Sequence, residues 1–216
     1  VARTEEAVNA KDAMLERIRG ALGATAQPSS EPPRNYRLET DAADLTGLLE
    51  ERILEYRAGV TRCDAVTLPQ TIAGILERLG TRTVAVPADL EPAWIPPQLE
   101  VMRDHSDLEP RSLEIADAVL TGCALAIAET GTIVLDHSAA QGRRALTLVP
   151  DRHVCVVFAA QIVDNLPEAI SRLEPSVRAG RPLTFISGGS ATSDIELNRV
   201  EGVHGPRTLE VVIVRG

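Results

Sequence analysis

The chain has 216 residues, 44% hydrophobic and 25% charged, ordinary values for a globular protein of about one domain with an extension. A surplus of 31 acidic over 22 basic side chains leaves a net charge of −9, which argues against a nucleic-acid or anionic-lipid binder. The aromatic residues are Tyr36, Tyr56, Trp94, Phe158 and Phe185, too few to build base-stacking platforms.

Val8, Met14, Leu15, Ile18 and Leu22 recur at mostly helical spacing, so Glu5 to Leu22 reads as an amphipathic helix stopped by Gly20 and Gly23. Thr25 to Pro33 has linker composition. Residues 1–35 are therefore expected to form a helix and linker, and residues 36–216 an α/β domain. A second helix starts near Asp44 with Leu45, Leu48, Leu49 and Ile53 on one face. Then come a strand at Ala65 to Leu68, a helix at Thr71 to Leu79, and a strand at Thr83 to Val86 closed by Pro87. Leu113 to Ala118 reads as helix. Ala124 to Ala128, Gly131 to Leu135, Ala145 to Val149 and His153 to Ala159 read as strands. The chain then alternates helix (Val163 to Leu173), strand (Leu183 to Ile186), helix (Thr192 to Val200) and strand (Leu209 to Val214). Strands such as VCVVF and VVIV are apolar on both faces, which predicts a sheet covered on two sides: a three-layer α/β/α Rossmann-like sandwich.

The longest apolar runs, Ala124 to Ala128 and Val154 to Ala160, fall far short of the roughly 20 residues needed to span a bilayer. Val1 to Lys11 lacks an apolar core, so no secretory leader is expected. Cys63, Cys123 and Cys155 are an odd, widely spaced set, which fits reduced cytoplasmic thiols better than disulfides, zinc or an iron–sulfur cluster. Asp136, His137 and His153 are too loosely spaced to argue a metal site. The single lysine, Lys11, lies in the peripheral helix, which disfavours Schiff-base chemistry.

Three polar segments interrupt the apolar scaffold at or just after strands, where open α/β sheets place ligands. The first is Glu129-Thr130-Gly131. Glu129, set between apolar strands, can serve as nucleophile or general acid/base, or can simply receive backbone N–H bonds at a hairpin corner. The second runs Ser187-Gly188-Gly189-Ser190 and continues through Thr192, Asp194 and Glu196. A strand, a small-residue loop and a helix start suit a phosphate or carboxylate, while Ser193 and Glu196 at a spacing of three also fit a capping box. Neither a Walker nor a dinucleotide fingerprint is present. The third is Gly202-Val203-His204-Gly205-Pro206-Arg207, a stiff loop able to aim His204 and Arg207 into a crevice, or a plain turn. Arg143, beside Arg144, is a further candidate for an anion or an ion pair.

The runs IAETGTIVL, RALTLVPDRHVCVV and ISGGSATSDIELNRVEGVHGPRTLEVVIV, in that order, resemble the lactate-utilization (LUD) domain family, nearest its lactate utilization protein C group. The likeness is dense over Ile115 to Val214 and extends back to about Tyr36. Gly188-Gly189-Ser190 stands where the family commonly carries Gly-Pro-Ser, which loosens the loop. The resemblance implies a fold like that of sugar-phosphate isomerases and CoA transferases. It also implies a cytoplasmic role in oxidising L-lactate to pyruvate alongside partner subunits that carry iron–sulfur clusters, with no cofactor in this chain. Two other roles stay open: acyl transfer through Glu129, since Glu-Thr-Gly resembles the Glu-Asn-Gly turn of CoA transferases, and sugar-phosphate or carboxylate binding without turnover.

Overall fold

The computed structural model describes residues 9–23, 33, 36, 42–193, 199–201 and 205–215, with 191–193 and 199–201 as backbone. The chain divides into two compact units, Val1–Tyr36 and Arg37–Gly216. In the first, helix α1 (Ala10–Leu22) begins at Asn9, whose side chain accepts from the Lys11 amide. It buries no residue and leaves Met14, Ile18 and Leu22 exposed as one stripe.

The second unit is built on a six-stranded, wholly parallel sheet. Its strands are β1 (Gly59–Asp64), β2 (Thr83–Val86), β3 (Glu100–Arg103), β4 (Ala118–Thr121), β7 (Arg152–Phe158) and β12 (Thr208–Arg215), in the spatial order β1-β12-β7-β4-β2-β3. One face is covered by α3 (Leu68–Arg78), which carries Pro69 in its first turn, where a missing N–H costs nothing. Its Leu68, Ile72, Ile75 and Leu76 pack on Val84, Val86, Leu120, Val154, Val156, Val212 and Val214. Each such side chain contributes about 1.5–3 kcal/mol on burial, and Leu76→Ala would cost about 2–5 kcal/mol.

The opposite face meets Leu49 and Ile53 of α2 (Leu45–Glu55), whose first turn is capped by the Asp44 side chain accepting from the Gly47 amide. Beside α2 lies a second sheet, in the order β8-β5-β6-β9, made of β5 (Leu125–Ile127), β6 (Thr132–Leu135), β8 (Ile162–Val163) and β9 (Thr184–Ile186). Ala126, Ile133 and Leu135 of its inner face join Cys155, Val157, Val211 and Ile213 in one core. Leu125, Ile127, Val134 and Val163 of its outer face pack on Ala169 and Leu173 of α4 (Leu166–Arg178). The α/β sandwich is thus as expected, with a small mixed sheet inserted between its main sheet and α4.

Several elements depart from the sequence reading. Ala65 to Leu68 is the turn into α3, and the strand is the preceding Gly59–Asp64. Leu113 to Ala118 splits into a 3-10 turn (Pro110–Ile115) and β4. Ala145 to Val149 is not a strand: its first three residues belong to a 3-10 turn (Arg144–Thr147) that buries Leu146 and Thr147, since a run this short has no diagnostic period. Helix α4 continues past Leu173 through Pro175 because the carbonyl left without a partner, that of Ser171, lies on an exposed residue. Of Thr192 to Val200, expected as a helix, the described ends are strand: β10 (Ala191–Ser193) pairs antiparallel with β11 (Arg199–Glu201), in register Ala191↔Glu201. The residues between these strands, and with them the expected Ser193–Glu196 capping box, lie outside the described residues.

Candidate functional site

The Glu129 turn and the Ser187 loop come together at one end of the inner sheet. Gly131, at φ 63°, lies so close to α2 that a Cβ would stand 2.7 Å from Arg52 Cβ and 2.8 Å from its carbonyl carbon. The turn is therefore pinned to the helix. Beyond it, Thr130 Oγ1 donates to Thr132 Oγ1 at 2.8 Å, and Thr132 Oγ1 shares a 2.9 Å hydrogen bond with Ser187 Oγ.

Gly188 follows at φ 85°, with the place of its Cβ filled by Tyr56 Cβ at 2.6 Å. The Arg207 carbonyl oxygen occupies the corresponding place at Gly189, at 2.3 Å. The Ser190 amide donates to the Pro206 carbonyl at 2.7 Å. The loop is thus held between the end of α2 and the Gly205-Pro206-Arg207 segment by backbone packing that leaves no room for a side chain at Gly188 or Gly189. The Ser187 loop thus meets the described part of the third segment, Gly205-Pro206-Arg207, and the Glu129 turn reaches them only through Thr132.

Where the Ser187 loop faces Gly205-Pro206 lies a cavity of about 280 Å³. Its walls are Ser187-Gly188-Gly189-Ser190, Gly205-Pro206, Thr184 to Ile186, Thr147, Leu148, Leu209 and His153. No acidic side chain is among these lining residues, and the amides of Gly188 and Gly189 donate to no backbone carbonyl among the described residues. The cavity lies at the carboxyl end of β9 but at the amino ends of β7 and β12 in the main sheet. The usual rule of carboxyl-end sites holds only for the smaller sheet.

His153, set aside in the sequence because no metal partners accompany it, is the titratable side chain of this cavity among the described residues. It is 1% exposed, and its Nε2 lies 2.8 Å from Thr121 Oγ1. Thr121 Oγ1 in turn donates to Cys155 Sγ at 3.9 Å, and Cys155 Sγ faces the Gly122 carbonyl at 3.6 Å. Hydrogen bonds from Cys123, and then from His153 and Thr121, outweigh burial and hold the Cys155 thiol below its ordinary range. The Cys123 thiol is pushed up by its bond with Cys155 and by burial. His153 and Cys155 alternate on one face of β7, and Thr121 is the register partner of Cys155 on β4, so strand pairing alone assembles this polar chain.

The other candidates fall elsewhere. Glu129 is half-buried, its amide donates to the Asp164 carbonyl at 3.0 Å, and it does not line the cavity. Arg143 Nε donates to Asp104 Oδ1 at 2.7 Å and its guanidinium also meets the Leu108 carbonyl, so it closes the end of β3. Arg207 Nε donates to Asp151 Oδ1 at 2.6 Å, and its carbonyl oxygen packs against Gly189 of the loop. Thr192 lies in β10. Asp194, Glu196 and His204 lie outside the described residues.

A second, polar cavity of about 400 Å³ opens past the carboxyl ends of β4 and β7, between Cys123, Gln161, Arg172 and Asp136. Asp136 organises it. Burial alone would raise its pKa, but hydrogen bonds from the Ser138 and Ser176 hydroxyls, the Ser138 amide and Gln141 prevail and hold it at about 2. Gln141 Oε1 accepts from the amides of Asp136 and His137, and the His137 ring bridges the Gly142 carbonyl and Thr184 Oγ1, both at 2.9 Å. This is a self-satisfied brace for the 136–142 loop. Among the described residues no group of three or more His, Cys, Asp or Glu is placed to hold a metal, and no helix is long and apolar enough to cross a membrane.

The same scaffold occurs in known proteins. Lactate utilization protein C of Deinococcus radiodurans is 50% identical over 205 residues, 95% of each chain. Its namesake in an Exiguobacterium species is 31% identical over 222 residues, 94% of this chain and 95% of that protein. The crystal structure of a DUF162 family protein from Deinococcus radiodurans matches with a TM-score of 0.69 at 48% identity, covering 79% of this chain and 96% of that one. The LUD domain profile matches residues 40–214, which take in both sheets and every described wall of the cavity, and the chain belongs to the LUD domain family.

Proposed function

We propose that this chain acts in lactate utilization as a non-redox component that binds a small carboxylate, within a cytoplasmic system that oxidises L-lactate to pyruvate together with iron–sulfur subunits. The observation that carries this reading is the 50% identity, over 95% of both chains, to a protein named lactate utilization protein C. The cavity supports the carboxylate: it suits a small ligand, its described walls bear no acidic side chain, and it offers loop amides and one imidazole. The cysteines support the division of labour. Three thiols are one fewer than a four-thiolate cluster takes, and Cys63 belongs to a different core from Cys123 and Cys155.

The test is deletion of the gene and growth on L-lactate as sole carbon source, with co-purification of cluster-bearing subunits by the tagged chain. Loss of growth restored by the intact gene, with association, is the expected result. Unimpaired growth together with no association would overturn the proposal.

A further inference from the structure

We propose that Cys123 and Cys155 are an oxidisable thiol pair, converted to an intramolecular disulfide by hydrogen peroxide reaching them through the polar cavity past the carboxyl ends of β4 and β7. The pair is a modification site and carries none of lactate's electrons, so it stands apart from the carboxylate-binding reading above.

Strand pairing brings the two sulfurs together. Thr121 on β4 is the register partner of Cys155 on β7, and β4 ends there, so Cys123 follows just beyond the ladder. Cys155 Sγ lies 3.6 Å from the oxygen of the Gly122 carbonyl, the group bonded to the Cys123 nitrogen, and both side chains belong to one apolar core. The thiols hydrogen-bond each other. Sulfurs already in contact on adjoining segments need only a small approach to reach the roughly 2 Å of a disulfide.

The two thiols differ in the way a stepwise oxidation requires. Cys123, 5% exposed, is a wall of the cavity of about 400 Å³, while Cys155 has no exposed surface. Cys123 Sγ lies 3.7 Å from Gln161 Oε1, and Gln161 is fixed by the Phe158 amide at 2.8 Å and the Cys123 carbonyl at 2.7 Å. Cys155 is held by Cys123, His153 and Thr121 together, which favours its thiolate. Peroxide therefore meets Cys123, and the base beside it is Cys155.

In the first step Cys123 Sγ attacks one peroxide oxygen. The S–O bond forms as the O–O bond breaks, hydroxide leaves, and the Cys123 thiol proton passes to the Cys155 thiolate. Cys155 Sγ then attacks the Cys123 sulfenic acid: the S–S bond forms, the S–O bond breaks, and the Cys155 proton leaves with the hydroxyl as water. Two electrons pass from the thiol pair to peroxide. Once bonded to Cys123, Cys155 no longer holds charge beside His153 and Thr121, so oxidation is felt at the glycine-loop cavity that His153 lines.

Non-reducing tryptic mapping of the full chain tests this, because the three cysteines fall on separate peptides, Cys63–Arg78, Ser112–Arg143 and His153–Arg172. Native protein treated with hydrogen peroxide should yield the second and third cross-linked within one chain, released by dithiothreitol, while Cys63, which sits in the other core, stays a free thiol. The 15N resonances of the His153 ring should move on oxidation and return on reduction. Cys155→Ala should leave Cys123 as a sulfenic acid that dimedone labels, and Cys123→Ala should leave Cys155 unlabelled. Cross-links that involve Cys63, that form only in urea, or that are missing at peroxide doses that oxidise the exposed Met14 would overturn the proposal without any variant having to fold. Labelling of Cys155 instead of Cys123 would overturn the order of attack, and unmoved His153 resonances would overturn the link to the glycine-loop cavity.

Discussion

Thr132 and Ser187, 55 residues apart in sequence, meet hydroxyl to hydroxyl at 2.9 Å. That bond joins the hairpin turn of β5 and β6 to the glycine loop, so the wall of the cavity is tied to the inner sheet. Thr132 is 7% exposed and also accepts from Thr130.

Thr132→Val keeps the side-chain shape and removes both bonds. It is expected to lower stability by about 1–2 kcal/mol in urea denaturation, because two part-buried hydroxyls lose a partner. Carboxylate binding should weaken further than the stability loss explains, as Ser187 swings free. An unchanged urea midpoint would show that water replaces the bond at no cost.

Gly131→Ala should destabilise far more than Gly80→Ala. Both glycines sit at positive φ, 63° and 66°, but a Cβ at Gly80 meets nothing within 4 Å whereas at Gly131 it strikes the backbone of α2. The dihedral strain common to both is about 1 kcal/mol, and the clash at Gly131 adds roughly 2 kcal/mol or more. Paired denaturation curves separate the two, and equal losses would mean that α2 gives way freely.

What could be read from the sequence tracks how local the cause is. The strands carrying VCVVF and VVIV and helix α3 were legible because their burial shows as an apolar run or a 3.6-residue period. The polar segments of the site were legible too, since glycines beside hydroxyls mark turns. The strand at Gly59–Asp64 was not, because Thr61, Arg62 and Asp64 hide a register that only pairing with β12 reveals. The helix expected from Thr192 was misplaced at its ends, because Ala191–Ser193 and Arg199–Glu201 pair as strands and that pairing shows only across the two segments. His153 could have been found from its alternation with Cys155 on one strand. Its meaning, however, depends on Thr121 of a neighbouring strand, and Asp104, the partner of Arg143, is 39 residues from it in the chain.

Arg143→Lys should behave as a structural defect, not a binding defect. Asp104 is 5% exposed and is met by the Arg143 amide and Nε, while the same guanidinium reaches the Leu108 carbonyl. An ammonium cannot span both acceptors. Arg143→Ala strands the carboxylate and should cost about 2–3 kcal/mol, with Lys recovering less than half. Neither change should alter carboxylate affinity once the protein is folded, since Arg143 is absent from the cavity wall. A tenfold loss of affinity in folded Arg143→Lys would return this residue to the binding site.

The last prediction concerns acid stability. Asp136 is held at about 2 in the folded protein against an ordinary 3.8, because the Ser138, Ser176 and Gln141 donors outweigh the effect of burial. A depressed folded-state pKa means that the unfolded chain takes up the proton first. The network therefore contributes fully above about pH 5, and its contribution fades as the pH falls through 4 toward 2. The shift corresponds to roughly 2 kcal/mol. Asp136→Asn keeps the size but turns one acceptor into a donor facing Ser176 and Arg181, so it should be less stable by about that amount at pH 7. The gap between parent and variant should narrow steadily in urea titrations at pH 5, 4 and 3. Curves that stay parallel over this range would show that the carboxylate charge contributes nothing and that the loop is braced by Gln141 and His137 alone.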